Sequence, residues 1–191
     1  IRSGKKLLDL VFSGKVTTTK GKIKTGTATT HLFRSKEFKL KYKSTNVKAC
    51  SPEEVIRASN NRQAMYCHLL SSLVHREDIE FIHSTFAYSI VEAMRTLETE
   101  WPRMCHDIRH GALSGLVTDE CVRDAMHAEI LTRPRPDLAH SIARVCSRLA
   151  SSDISWAGLV PKLWPNCKYI LSIMTGAMEP YLKKLQHYGG A

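Results

Sequence analysis

The sequence predicts a helix-rich α/β fold that forms one domain or part of one. The chain has 191 residues, which is enough to bury a sizeable apolar core. After residue 50, apolar residues recur at helical spacing in several successive segments. Two short β-branched runs, "EFIHSTF" at 80–86 and "KYILSIM" at 168–174, lie between those segments. Because such runs are flanked by helical patterns, we expect strands that are covered by helices.

The first 48 residues predict short strands and turns. In "KVTTTKGKIKTGTATTHLF", β-branched and basic residues alternate around Gly21 and Gly26, a pattern typical of hairpins. Residues 1–48 hold 13 Lys and Arg against 2 Asp and Glu, whereas residues 49–191 hold 15 against 16. The excess of positive charge is therefore confined to this part of the chain. We predict a basic β-hairpin segment at 1–48 and a helix-rich α/β part at 49–191.

Helix signals begin at "CSPEEVI". Ser51 is a suitable N-cap, Pro52 suits the first helical position, and Glu53 and Glu54 suit the first turn. Further helices are predicted by apolar stripes, namely Met65, Leu69, Leu70, Leu73 and Val74, then Phe86, Ile90, Met94 and Leu97, then Trp101, Met104, Cys105 and Ile108. Gly111 is expected to end the last of these helices.

The rest of the chain predicts four more helices and a strand. Thr118 is the expected N-cap of one helix, and Asp137 lies near the start of the next. A short helix then leads through the turn Trp164–Pro165–Asn166 into the strand "KYILSIM", which Gly176 ends. The final helix stops at two glycines.

The six cysteines exclude two classes of site. They are far apart and form no C-x-x-C pair, so neither a zinc ribbon nor a dithiol redox motif is predicted. We expect buried free thiols in a reducing compartment. No secretory signal opens the chain, and no apolar run is long enough to span a bilayer. A cytoplasmic location without membrane contact is the resulting expectation.

The threonine- and glycine-rich run at 17–30 suggests three kinds of site. A phosphate-binding P-loop requires G-x-x-x-x-G-K-[ST], but Thr27 and Ala28 follow Gly26. A nucleic-acid-binding arm would use the local charge and the rings of Phe33, Phe38 and Tyr42. The third alternative is a solvated, lysine-rich edge hairpin. The residues themselves favour the solvated hairpin, and we expect no nucleic-acid partner.

The histidines predict no catalytic triad and no metal site. His106 and His110 are four residues apart on one helix, but the glutamate of the H-E-x-x-H motif is missing, so a surface pair is expected. His83 differs because it lies inside the apolar run "EFIHSTF". Such a histidine is either a hydrogen-bonded core residue or part of a ligand pocket.

Several segments together resemble a known family. They are "TATTHLFRSKEFK", "CSPEEVI", "AMYCHLLSSLVHRE", "FIHSTFAYSIVEAMRTLE" and "WAGLVPKLWPNCKYILSIMTGAMEPYLKKLQHYGG". In this order they resemble the auxin-responsive Gretchen Hagen family of plant acyl acid–amido synthetases, over about Gly26 to Gly190. The resemblance implies part of the large N-terminal domain of an acyl-adenylate-forming, firefly luciferase-like enzyme. It also implies a ligase that uses ATP and magnesium to conjugate indole-3-acetic acid or jasmonic acid to an amino acid.

The family's other nucleotide motifs are not among these 191 residues. A serine- and glycine-rich phosphate loop is expected upstream, and an aromatic–Gly/Ala–Ser–Ser–Glu motif and a C-terminal lid domain are expected downstream. We therefore expect an internal fragment that is inactive alone. A non-catalytic remnant or binding protein, or a basic nucleic-acid-binding module, stays open as an alternative.

The resemblance also implies site residues. The positions of Thr29, Thr30, His31 and Phe33 would form a hairpin where amino acid and nucleotide meet, although relatives often carry Asn at the position of His31. The positions of His83, Thr85 and Ile173 would line the pocket for the acyl acid, with His83 as its polar tip. No catalytic residue and no metal ligand is assigned within this chain.

Overall fold

A computed structural model describes residues 4–14, 16–38, 48–58 and 60–190. The strands in these residues are β1 (Lys6–Asp9), β2 (Thr17–Thr18), β3 (Lys24–Thr25), β4 (Lys48–Ala49), β5 (Ile79–Phe86) and β6 (Tyr169–Ile173). The helices are α1 (Ala28–Arg34), α2 (Glu53–Ile56), α3 (Asn61–Val74), α4 (Ala87–His110), α5 (Glu120–Glu129), α6 (Pro136–Ala150), α7 (Leu159–Leu163) and α8 (Leu182–Gly189). A 3₁₀ helix, Gly176–Tyr181, precedes α8. The helix-rich α/β fold predicted from the sequence is confirmed.

The central sheet is parallel. Its strand order is β4-β1-β5-β6, and β2 pairs with β3 in a separate antiparallel hairpin. The register places Leu8 opposite Ile82 and Asp9 opposite His83 on β1 and β5. Farther across the sheet, His83 lies opposite Leu171 of β6. Since all four strands run the same way, their carboxyl ends meet at one edge of the sheet.

Helices α3 and α4 cover one face of this sheet. Leu8 and Ile82 point to that face and are fully buried, as are Leu69 and Leu70 of α3. Helix α6 packs on the outer side of α4, and α8 packs against α4 and α7. The core therefore lies between the sheet and a layer of helices.

Helix α4 joins two predicted stripes into one helix of 24 residues. Pro102 lies inside it, and Gly111 ends it with a φ of 62°, as expected for a C-terminal glycine. Phe86 does not belong to the inward stripe. It is the N-cap residue and keeps 49% of its surface exposed, because β5 runs directly into the helix.

Two predicted helix starts are displaced by one residue. Pro52 rather than Ser51 is the N-cap of α2, because the Ser51 hydroxyl is bonded to the His68 ring at 2.8 Å. Asp119 rather than Thr118 is the N-cap of α5. Thr118 instead forms hydrogen bonds with the amide side chain of Gln63.

The predicted division between 1–48 and 49–191 does not match the sheet. Strand β1, from the basic segment, lies inside the sheet between β4 and β5, and β4 itself spans Lys48 and Ala49. The hairpin is limited to β2 and β3. Tyr42, a predicted stacking residue, lies outside the described residues. The predicted division fails because the apolar run of β1 pairs in parallel with its neighbouring strands and is buried there. A local sequence pattern does not reveal such pairing.

Candidate functional site

The segments that follow β1 and β6 lie at the carboxyl edge of the sheet. The chain leaves β1 at Asp9 and reaches Gly14 in an irregular segment, whereas β5 continues directly into α4. After β6 the chain turns at Gly176, whose φ is 60°. In open parallel sheets, ligands bind beside such carboxyl ends.

The face of the sheet opposite α3 and α4 is apolar and open. Tyr169, Leu171 and Ile173 alternate along β6 on this face, and each keeps between 50% and 53% of its surface exposed. Phe81 of β5 lies beside Tyr169, with the two rings stacked at 5.0 Å between centroids. Among the described residues, the helices cover the other face. Exposed apolar patches are typical of surfaces that bind a ligand or another protein, so this strip is a candidate binding surface.

A β-bulge in β5 decides which predicted residues share this face. His83 lies opposite Leu171, and Phe86 lies opposite Ile173, so β5 has one more residue than β6 between these pairs. His83 and Ile173 are therefore on the same open face, about 8 Å apart by strand geometry. Thr85 is in the bulge and is exposed. Ser84 beside it is buried and donates a hydrogen bond to the Leu10 carbonyl at 3.0 Å.

His83 has a carboxylate partner that the sequence did not reveal. Its Nδ1 lies 2.7 Å from Oδ1 of Asp9, and both side chains are partly buried. The hydrogen bond that His83 donates to the Asp9 carboxylate raises the pKa of His83 above its usual value, although burial opposes this effect. The bond to Asp9 holds the orientation of the ring through Nδ1. Among the described residues, none forms a hydrogen bond with Nε2. Asp9 lies in the apolar run "KLLDLVF", and only its isolation there could have marked it.

The residues predicted for the amino-acid and nucleotide side form a helix and not a hairpin. Thr27 caps α1 by accepting a hydrogen bond from the Thr30 backbone N–H. Thr29 and His31 on this helix are exposed, and Phe33 packs edge-on against Phe38 at 5.1 Å between ring centroids. The hairpin prediction for this stretch is wrong, because a threonine with free backbone donors after it caps a helix as readily as it fits a strand.

Thr30 connects α1 to the loop after β1. It is fully buried, and its hydroxyl accepts a hydrogen bond from the Gly14 backbone N–H at 2.8 Å. A Cβ on Gly14 would lie 2.8 Å from the same hydroxyl, so only glycine allows this approach. Gly14 is five residues beyond Asp9. The two predicted groups of site residues are therefore linked through β1 and its following loop.

A buried histidine supports the same loop. The His68 ring lies 2.8 Å from the Ser51 hydroxyl and 3.1 Å from the Val11 carbonyl. Complete burial lowers the pKa of His68 to about 4, so the ring is neutral near neutral pH. A neutral ring has one N–H donor, which satisfies the Val11 carbonyl while Nδ1 accepts from Ser51. We attribute a structural role to this residue.

Two cavities lie in the described residues. One of about 280 Å³ lies between β6, α7 and α8, and its lining includes Tyr169, Ile170 and Leu185. Another of about 450 Å³ lies at the amino edge of the sheet, between Lys6 and Lys48 on one side and acidic residues that include Glu53 on the other. Neither includes one of the predicted site residues.

The described residues contain no group of three or more His, Cys, Asp or Glu side chains placed to hold a metal ion. In the same part of the chain, every helix falls short of the length or apolar character needed to cross a membrane. All six cysteines are free, and burial raises the pKa of the Cys50 and Cys67 thiols to about 12.

Comparison with known proteins identifies relatives along the whole chain. Indole-3-acetic acid-amido synthetase GH3.10 of Arabidopsis thaliana is 45% identical over 190 residues, which are 100% of this chain and 32% of the relative. Jasmonoyl–L-amino acid synthetase JAR6 of Nicotiana attenuata is 46% identical over 185 residues, which are 97% of this chain and 31% of the relative. The chain thus spans about a third of the length of these relatives.

A solved structure has the same fold. The GH3.15 acyl acid amido synthetase superposes with a TM-score of 0.84 at 31% identity, over 99% of this chain and 32% of that protein. The family model described as the GH3 family N-terminal domain matches residues 1–191. The predicted resemblance is therefore confirmed, and the chain belongs to the GH3 family, of whose N-terminal domain it forms a part.

Proposed function

We propose that this chain supplies the acyl-acid side of an acyl acid–amido synthetase. The observation that carries the proposal is the shared open face of the sheet, on which His83 and Ile173 lie together at the carboxyl edge. The relatives are named as synthetases that join indole-3-acetic acid or jasmonate to amino acids. A related structure is described in complex with 2,4-DB. The substrates of this chain would be an apolar carboxylic acid and an amino acid.

The residues of this chain would bind and orient the acid. The apolar strip of Tyr169, Leu171 and Ile173 suits a hydrocarbon body, and His83 suits its carboxylate. Thr29, His31 and Phe33 on α1 would lie toward the amino acid and the nucleotide, held in place by the Thr30–Gly14 hydrogen bond. Positioning of this kind contributes much of the rate in two-substrate reactions.

ATP and magnesium are expected as the second substrate and its ion. ATP would activate the acid as an acyl-adenylate, which the amine of the amino acid then attacks. We assign no residue of this chain to the magnesium ion, whose charge would be shared with the phosphates of ATP.

A chimera tests this function directly. The matching 185-residue segment of the Nicotiana attenuata synthetase would be replaced by this chain. With jasmonate, an L-amino acid, ATP and magnesium, we expect the chimera to form the conjugate. The 191-residue polypeptide alone should release no pyrophosphate above a blank, since it spans about a third of such enzymes. A folded chimera with no conjugate, or turnover by the polypeptide alone, would contradict the proposal.

The position of Ile173 gives a sharper measurement in the same chimera. Ile173→Trp should raise KM for jasmonate about tenfold and leave KM for ATP within about twofold, because the bulk fills only the acid's site. Ile154→Trp is the matched control, since Ile154 is 67% exposed in the turn after α6. Equal changes in both KM values for Ile173→Trp would show damage to the fold.

A further inference from the structure

The pair of Asp9 and His83 is shorter and less exposed than a typical surface ion pair. Its carboxylate lies 2.7 Å from Nδ1 of His83, and its side chain is only 19% exposed. The two residues are directly opposite each other on neighbouring parallel strands. The backbone supports this position, because the Leu10 N–H donates to the His83 carbonyl at 2.8 Å. The ring orientation is thus determined from the side of β1.

On the side away from β1, His83 lies next to the apolar strip of β6. Leu171 lies opposite His83 on β6, and Phe81 precedes it by two residues on the same face of β5. Asp9 is the charged group that contacts the ring from β1, whereas the residue opposite His83 on β6 is the apolar Leu171. When His83 is protonated, its ring is a cation beside the middle of an exposed apolar strip, and this arrangement is complementary to a molecule with one carboxylate and a hydrocarbon body.

We propose that Asp9 is a positioning residue that holds His83 so that its Nε2–H donates to the carboxylate of a bound apolar acid. The acid's hydrocarbon part lies along Tyr169, Leu171 and Ile173. Asp9 stabilises the imidazolium and directs Nε2 outward, while the strip excludes water from the acid. The inference rests on the proposed function, because it assigns the acid of that same site.

The direction of the effect follows from proton linkage. Asp9 raises the pKa of His83, so the imidazolium persists to higher pH than in a free histidine. A carboxylate that binds the imidazolium raises this pKa further, and affinity for the acid is lost as pH rises through it. Asp9→Asn keeps an oxygen that accepts from Nδ1 but removes the charge. It should move this loss of affinity to lower pH.

The experiment is a titration of the 191-residue chain with indole-3-acetate as the probe. Nitrogen-15 NMR of the histidine rings would follow His83, assigned by the loss of its signals in His83→Asn. We expect the acid to raise the pKa of His83 and to perturb Nε2 more than Nδ1. At pH 7, Asp9→Asn should weaken binding about tenfold, as expected when a charge-assisted hydrogen bond becomes neutral. His83→Gln, which keeps a neutral donor near Nε2, should retain more affinity than His83→Asn.

Asp78→Asn is the matched control. Asp78 pairs with Lys5 at 3.2 Å, is 42% exposed, and lies next to the amino end of the same sheet. Its loss should leave the pKa of His83 and the affinity for indole-3-acetate unchanged. Equal losses in Asp9→Asn and Asp78→Asn would overturn the inference, as would a His83 signal that the acid does not affect. Self-association that covers the strip and excludes the acid would overturn it as well.

This outcome is separable from the test of the proposed function. The NMR titration needs no catalysis, whereas the chimera reports on conjugate formation. An active chimera with an unresponsive His83 refutes only the role of Asp9. An inactive chimera with a responsive His83 refutes only the synthetase assignment.

Discussion

At the scale of single residues, two histidines of this chain have opposite electrostatic environments. His68 is completely buried, and its pKa is lowered to about 4. His83 is paired with Asp9, and its pKa is raised. The stabilisation from the His83 pair is complete below the usual histidine pKa and is lost as pH rises through the raised value. His68 acts in the other direction, since its burial disfavours the protonated ring in the folded chain.

Acid should therefore destabilise the fold through His68. Between pH 6.5 and about 4, His68 is protonated in the unfolded chain but stays neutral in the folded chain. The free energy of unfolding should fall by about 1.4 kcal/mol per pH unit over this window from this residue. Urea unfolding at a series of pH values would measure the slope.

A pair of variants isolates the contribution of His68. His68→Gln removes the titrating ring and should give a shallower slope, with lower stability at pH 7 because the bonds to Ser51 and Val11 are weakened. His140→Gln, at an exposed position of α6, should keep the original slope. The same slope in His68→Gln as in the parent chain would contradict this account.

At the scale of elements, the end of α4 depends on Gly111, where both the backbone conformation and the nearby backbone of another segment disfavour a side chain. Gly111 has a φ of 62°, and a Cβ there would lie 2.7 Å from the backbone of Arg133 and Pro134. The segment 133–135 packs against this end of the helix, where the Arg135 N–H donates to the Ile108 carbonyl at 2.9 Å. The end of α4 and the segment that leads into α6 can thus approach each other closely because Gly111 has no side chain.

Gly111→Ala should lower the free energy of unfolding by about 3 kcal/mol. Roughly 1 to 2 kcal/mol comes from the left-handed backbone, and the remainder comes from the clash with backbone atoms. Gly176→Ala is the matched variant, because Gly176 has a φ of 60° but no atom within 4 Å of the added Cβ. It should cost only the backbone part, about 1 kcal/mol. Chemical denaturation that shows equal losses would exclude the clash.

At the scale of the whole molecule, the excess positive charge is concentrated at one end of the sequence. The net charge of +10 arises from the first 48 residues, and Lys20, Lys22 and Lys24 of the β2–β3 hairpin are exposed. Their neighbours in this hairpin are threonines that bond to one another, such as Thr17 and Thr25 at 2.8 Å. This arrangement suits a solvated edge better than a base-reading surface.

Nucleic-acid binding by this chain should accordingly be weak and should depend on salt alone. A labelled DNA duplex should bind at low salt and be released between about 50 and 200 mM, without preference for sequence. Replacing Lys20, Lys22 and Lys24 by Gln should reduce the number of counterions released on binding by up to about three, which is read from the slope of log K against log salt concentration. Fluorescence anisotropy would measure both effects. Sequence-selective binding that persists at physiological salt would instead support the nucleic-acid-binding alternative.

The sequence by itself determined the helices after residue 50, strands β5 and β6, and the family. Apolar periodicity located α3, α4 and α6, and the β-branched runs located β5 and β6, because these patterns reflect how a single segment divides between core and solvent. The family followed from the order of specific motifs between Gly26 and Gly190. His83 was singled out by its apolar neighbours alone.

Only the tertiary structure decided how distant segments meet. Asp9 faces His83 across 74 residues of sequence, and this register depends on the packing of the whole sheet. The bulge that aligns Phe86 rather than Thr85 with Ile173 has the same origin. Helix α1 forms where a hairpin was expected, and Thr30 is buried because Gly14 lies against it. Local patterns report local burial, whereas register and docking arise from contacts between strands that no single segment contains.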